Sequence, residues 1–179
     1  MTRSAAFFAA LASIATLVLA VPISAAAGKV AYGFNAGDIR GFATGAVSLS
    51  GGGAFDLATG FVETAGGFRC RETVAQGPLS GCRAGEGIRW DTAALLPGTT
   101  FKCTGAASEA PKTATTGTDT VVVRSDFYRA GDGVDESFTA QMIVSENDIA
   151  ADIPGVQNVW VQGVGCGSAV GSFNSARAA

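Results

Sequence analysis

The chain has 179 residues, 12 basic and 15 acidic, with four cysteines and no histidine. That length suits one domain of ordinary size. The missing histidine excludes Ser-His-Asp and Cys-His nucleophilic machinery, His-ligated metals and His acid–base catalysis. The scattered basic residues leave no electrostatic footprint for nucleic acid.

The first stretch stands apart from the rest. Arg3 supplies a short positive region, Ala5 to Val21 is an apolar run, Pro22 breaks it, and Ser24-Ala25-Ala26 places small residues where a signal peptidase reads. The pattern predicts a cleaved secretory signal peptide over residues 1–26, with cleavage after Ala27 as the second choice. A run of about 17 apolar residues is marginal for a membrane span. No cysteine follows it for lipid attachment, and a single arginine does not make a twin-arginine signal. Without Arg3 the 11 remaining basic residues face 15 acidic ones, a net charge of −4. The remainder is long enough to bury about two-thirds of its unfolded surface in one core.

Residues 27–43 are rich in Gly and Ala around Tyr32 and Phe34, and are expected to form a loosely ordered lead-in or edge segment. From Thr44 the pattern becomes β. Val47 and Leu49 alternate with Ser48 and Ser50, Gly51-Gly52-Gly53 permits a bulge, and Asp56 to Gly60 is a turn. Phe61 to Thr64 begins the partner strand, which resumes at Phe68 to Cys70. Residues 72–87 are expected to be a loop. Ile88 to Asp91 is a short strand, Leu95-Leu96-Pro97-Gly98 a turn, Thr100 to Cys103 a strand, and residues 105–118 a polar surface loop. Strands over Asn158 to Gly165 and Ser168 to Phe173 close the chain, leaving 174–179 as a flexible tail.

The strongest local signal lies between Thr120 and Glu146. Two β-type runs flank Gly131-Asp132-Gly133, a hairpin signature. Placing Phe127 opposite Phe138 sets Val123 against Met142 and Val121 against Val144, which gathers the apolar residues on one side; a slip of one residue would scatter them. The other side then carries Arg124, Asp126 and Tyr128 opposite Gln141, Thr139 and Ser137. This is either a solvated outer face or the lining of a binding cleft. A closed cavity with Asp126 desolvated would favour a small-ligand or enzymatic site there. A face open to water would not.

No stretch of the mature chain repeats apolar residues at helical spacing, and 25 glycines punctuate it. Short strands with regular turn signals predict an all-β fold, a single antiparallel β-sandwich or barrel over residues 44–173. Phe55, Phe61, Phe68, Phe101, Phe127, Phe138 and Trp160 are the expected core aromatics.

Four cysteines in an exported chain predict two disulfides among Cys70, Cys82, Cys103 and Cys166. Of the three pairings, Cys70–Cys82 with Cys103–Cys166 is slightly favoured, since it closes one short loop and ties the last strand to the middle of the chain. No Cys-x-x-Cys spacing supports zinc. Asp132, Asp135 and Glu136 crowd the hairpin tip and are weak calcium candidates, though Asp between glycines is also ordinary turn chemistry. Glu86 and Asp91 flank Trp90 as a conceivable glycosidase pair, but such acids usually sit on the wet face or pair with arginines. No Gly-rich phosphate loop opens a helix, and no cofactor is indicated.

The phrases Gly77-Pro78-Leu79-Ser80-Gly81-Cys82, Arg89-Trp90-Asp91, Asp126-Phe127-Tyr128-Arg129 and Asn158 to Cys166 resemble a group of small exported bacterial β proteins with no assigned activity. The resemblance implies one secreted domain and carries no catalytic residue across. The expectation is a secreted, periplasmic or extracellular β-domain without enzymatic activity that binds a small ligand or a protein partner. A small β-barrel enzyme using carboxylate, Tyr and Arg chemistry is the alternative, with a passive surface or matrix component as the third reading.

Overall fold

The computed structural model describes residues 28–128 and 138–175. The expected signal peptide, the hairpin tip with Asp132, Asp135 and Glu136, and residues 176–179 lie outside the described residues. What is described is all-β. The strands are β1 (Val30–Gly41), β2 (Ala46–Asp56), β3 (Phe61–Glu72), β4 (Arg89–Leu96), β5 (Gly98–Phe101), β6 (Lys112–Thr115), β7 (Thr120–Tyr128), β8 (Phe138–Ser145), β9 (Val159–Val161), β10 (Gly165–Gly167) and β11 (Val170–Ser175).

Nine strands form one antiparallel sheet in the order β10-β9-β8-β7-β4-β3-β2-β1-β11, and β10 pairs back onto β1. The sheet therefore closes on itself, which settles the fold as a barrel rather than a sandwich. β10 and β11 act as one interrupted wall strand: Ile39 to Gly41 face Gly167 to Gly165, and Val30 to Asn35 face Ser175 to Val170. Every wall strand pairs with its neighbour along the chain, so the barrel is an up-and-down meander, with β5 and β6 as a separate hairpin inserted between β4 and β7. Closure through β10 removes much of the sheet edge that would otherwise template aggregation, while β11 is strand-paired on one side, to β1.

The lead-in expected over residues 27–43 is instead a wall strand. The alternation Val30, Tyr32, Phe34, Ala36 is buried on one side, which is what a barrel strand requires. Isolated aromatics among Gly and Ala hid the period. β4 runs on through Leu96 where a turn was expected, because a register shift between Thr92 and Ala94 lets it continue along β7. The tail enters β11 as far as Ser175. The central hairpin has the predicted register: Phe127 faces Phe138, Val123 faces Met142 and Val121 faces Val144.

The interior is filled by side chains, as an eight-stranded barrel allows. Trp90 lies at its centre, fully buried, with its indole N–H donating to the Ser50 carbonyl at 3.0 Å. One cross-strand row runs Phe34, Gly51, Gly66, Trp90, Phe127, Phe138. The two glycines are what let the Trp90 ring lie across the row. A Cβ on Gly51 would stand 2.7 Å from that ring, and one on Gly66 would stand 1.9 Å from the Ser50 carbonyl oxygen. The neighbouring row carries Tyr32, whose phenol is pushed up to about 12 by burial, with Thr64 opposing. One mouth is plugged by the loop after β3. Val74, Leu79 and Cys82 are fully buried there, the Cys70–Cys82 disulfide pins it, and Gln76 Nε2 donates to the Gly163 carbonyl at 2.8 Å.

A second disulfide joins Cys103 to Cys166, so both pairs are the favoured ones. They close loops with sequence separations of 12 and 63 residues. Two predictions follow from this packing. Gly66→Ala should cost at least about 3 kcal/mol of unfolding free energy in urea, because the obstacle is backbone that cannot rotate away. Loop-closure entropy gives the long disulfide the larger share, about 4 against 3 kcal/mol. The Cys103→Ser/Cys166→Ser pair should therefore melt below the Cys70→Ser/Cys82→Ser pair; the reverse order would show that the mouth plug matters more than chain entropy.

Candidate functional site

Where β7, β8 and β9 pass under the β5–β6 hairpin, the wall is apolar on both faces. Val121, Val123, Met142 and Val161 belong to the interior cluster, while Val122, Ile143 and Trp160 form a second buried cluster on the outside of the wall. The β5–β6 hairpin covers that outer cluster. Phe101 packs on Trp160 at a ring separation of 5.5 Å, and Trp160 Nε1 donates to the Lys102 carbonyl at 2.9 Å. The Cys103–Cys166 disulfide fixes the hairpin to β10 immediately beyond.

A polar clasp completes the attachment. Glu109, with 6% of its side chain exposed, accepts hydrogen bonds from Cys103 N and Thr104 N, both at 2.7 Å, from the Thr104 hydroxyl at 2.6 Å and from Lys112 at 2.9 Å. Burial alone would raise its carboxyl. Those four bonds outweigh burial and hold it at about 2. Lys112 also reaches Asp152 at 2.9 Å, tying in the loop before β9. Its ammonium is shifted upward overall: burial lowers it, and the bonds to Glu109 and Asp152 more than compensate.

Between hairpin and wall lies a cleft of about 540 Å³, within the range of small-molecule sites. Phe101 and Trp160 form its floor, Phe42 and Pro111 add apolar surface, and Thr99, Gln141 and Gln162 are its polar contributors. The two glutamines hold each other in place. Gln141 N donates to Gln162 Oε1 at 3.1 Å and Gln162 N to the Gln141 carbonyl at 3.0 Å, while Gln141 Oε1 accepts from Thr99. Neither carboxamide NH₂ group has a hydrogen-bond partner among the described residues. Lys102 lines it too, but its ammonium is spent on the carbonyl of Ala106 at 2.9 Å. The site is thus aromatic surface with amide donors, beside one cation, Lys102, whose N–H groups are turned onto main-chain carbonyls.

The strand face singled out from the sequence divides. Arg124, Asp126, Tyr128 and Thr139 stand on the outer wall, with Arg124 and Thr139 exposed and the other two half-buried. Thr139 donates to Asp126 at 2.9 Å, and the Tyr128 hydroxyl donates to Asp91 at 3.3 Å. Arg89 lies over the Tyr128 ring at 4.0 Å and pairs with Asp91 at 3.0 Å. The Tyr128 phenol is raised, by partial burial first and then by Asp91, with Arg89 opposing. Only Gln141 of the five reaches the cleft. Glu86 and Asp91 do not form a working pair: Glu86 Oε2 accepts from Arg83 N at 2.9 Å, and Asp91 is committed to Arg89 and Tyr128.

The sequence reading missed Thr99, Phe101, Trp160 and Gln162 as one site. The available signal was the disulfide: pairing Cys103 with Cys166 necessarily brings Phe101 close to Trp160 and Gln162. Among the described residues no group of three or more His, Cys, Asp or Glu is placed to hold a metal, and no helix is long and apolar enough to cross a membrane. No family model, curated protein or solved structure matches the chain.

The clasp carries a pH dependence with a definite sign. A carboxyl lowered by folding stabilises above its unfolded range near 4.5, and that contribution is lost as pH falls from there towards 2. Glu109→Gln should cost about 2 kcal/mol at pH 7, leaving Lys112 short of a charge partner. The difference between variant and parent should shrink steadily in urea melts taken from pH 5 down to pH 2.5. A difference independent of pH would show that the carboxylate charge contributes nothing.

Proposed function

We propose that this chain is an exported, non-enzymatic β-barrel domain that binds a ligand outside the cytoplasm, and that the ligand occupies the cleft under the β5–β6 hairpin. The observation that carries this reading is the cleft itself. The hairpin is held rigidly off the wall by a disulfide, an indole hydrogen bond and the Glu109 clasp, and between them remain aromatic surface and two amide donors without a partner among the described residues. Export is supported by the apolar N-terminal run with its small-residue cleavage pattern and by two disulfides, which persist in oxidising compartments. The resemblance to small exported bacterial β proteins agrees with this reading.

The cleft chemistry selects a ligand class. Amide N–H groups want oxygen acceptors, aromatic and proline surface wants an apolar face, and the Lys102 ammonium that also lines the cleft has its N–H groups turned onto main-chain carbonyls. A neutral ligand with hydroxyl, ether or carbonyl oxygens fits, and oligosaccharides are the first class to try. The enzymatic alternative gains nothing from the Arg124–Asp126–Tyr128 face, which is on the outer wall rather than in a closed cavity.

The test is a thermal melt of the purified, oxidised protein with neutral oligosaccharides, small apolar ligands, calcium and a chelator, read also through tryptophan emission, since Trp160 floors the cleft. A cleft ligand at one hundred times its Kd should stabilise the fold by about 2.7 kcal/mol. Gln162→Ala should abolish most of that gain, and should lower the ligand-free midpoint only modestly through the lost bond from Gln141 N. A shift with calcium alone would move the site to Asp132 and Asp135, and no shift with any class would overturn the small-ligand reading.

A further inference from the structure

A second groove, of about 330 Å³, lies on the outer wall over β1, β2 and β3, away from the hairpin. Its origin is in the register. Asn35 faces Ser50 and Ser50 faces Gly67 in one cross-strand row, and Ser48 faces Arg69 in the next. Residues so placed share one side of the sheet, so a carboxamide, two hydroxyls and a guanidinium converge on one surface. Gly67 keeps the floor open: a Cβ there would stand 3.3 Å from Ser50 Oγ and 3.9 Å from the Ile88 carbonyl oxygen. Ile88, 56% exposed, forms an apolar wall.

Arg69, like Arg71, Arg83 and Arg124, has no ion-pair partner among the described residues. What marks Arg69 is its place: it lines a groove in which no carboxylate stands. The side chains of Asn35, Ser48 and Ser50 are likewise unengaged among the described residues.

The geometry points to an oxyanion subsite: a small organic molecule bearing a carboxylate, sulfate or phosphate group, its oxygens on the Arg69 guanidinium and the hydroxyls of Ser48 and Ser50. A guanidinium presents parallel N–H groups that match two oxygens of such an anion, and hydroxyl and amide donors complete its shell. The groove is larger than a bare ion, and Ile88 offers apolar contact to the remainder of the molecule. This site is independent of the cleft under the hairpin, whose proposed ligand is neutral.

The experiment is an NMR titration of the ¹⁵N-labelled, oxidised protein with acetate, sulfate, phosphate and glucuronate, with glucose as the neutral control, at low and physiological salt. Saturable shifts are expected at the amides around Ser50 and Gly67, and the anion that saturates lowest identifies the oxyanion. Arg69→Ala should weaken that binding about tenfold, and Arg69→Lys should also weaken it, because an ammonium cannot present the fork. Gly67→Ala should weaken it by filling the floor. A thermal melt of each variant checks that the fold is intact, and Ser50→Ala supplies the same test if Gly67→Ala proves unstable. Failure of every anion to saturate, glucose binding as tightly as glucuronate, or Arg69→Ala binding like the parent would each overturn the assignment.

Discussion

A stretch of wall that is apolar on both sides dictates the shape of this molecule. A barrel satisfies one face of each strand by turning it inward, and over most of the wall that suffices. It does not suffice where Val122 on β7, Ile143 on β8 and Trp160 on β9 point outward with the hydrophobicity of core residues and Leu96 of β4 packs against them. Something must cover them, since a patch of that kind left in water is an aggregation liability. The β5–β6 hairpin is that cover, and its insertion between two wall strands that are neighbours in the sheet is the one departure from a simple meander. A four-residue strand pair cannot stabilise itself in water. It depends on the wall, on the Cys103–Cys166 disulfide and on Glu109, and each of these fasteners lies within a few residues of the cleft.

This dependence explains why the cleft exists. A cover strapped at its base and along its far side, over a wall bearing a large indole, does not collapse onto every residue beneath it. Gln141 and Gln162 occupy the uncovered part, locked to one another, and they are polar where their strand neighbours Ile143 and Trp160 are not. The change from apolar to amide along β8 and into the turn after β9 marks where the cover ends.

Much of the architecture was legible in the sequence, for identifiable reasons. The β7–β8 register followed from period-two alternation of Val, Phe and Met, because only one alignment collects them on one face. Loop sizes favoured the disulfide pairing only slightly over its two rivals, and the structure has that pairing. β1 was not legible: Gly33 and Gly37, set among small residues, dilute the alternation that burial of Val30, Tyr32 and Phe34 makes plain. The placement of Trp90 was equally hidden. A lone tryptophan between Arg89 and Asp91 looked like part of a surface constellation, and only closure of the barrel, with Gly51 and Gly66 beside it, puts the ring at the centre. The polar strand face was read correctly as the side opposite Phe127. Its use could not be read, since an outer wall and a cleft lining have the same alternation and differ only in what a distant segment covers.

The two candidate sites differ in physics, and that difference bears on what the domain does. Near the cleft under the hairpin the cations are engaged by the fold: Lys102 donates to main-chain carbonyls, and Lys112 is held between Glu109 and Asp152. In the groove over β1 to β3, Arg69 stands among hydroxyls with no carboxylate in the lining. In a mildly acidic protein, an unpaired cation set among hydroxyls gains little as a structural element, because exposed guanidinium groups contribute almost nothing to stability. Its value lies in recognition, where a planar donor fork distinguishes an oxyanion from water and from neutral oxygen. On the proposed readings, a barrel with an aromatic, amide-lined cleft on one side and an oxyanion groove on another would hold two chemically different parts of its surroundings at once, with the wall between them setting their separation.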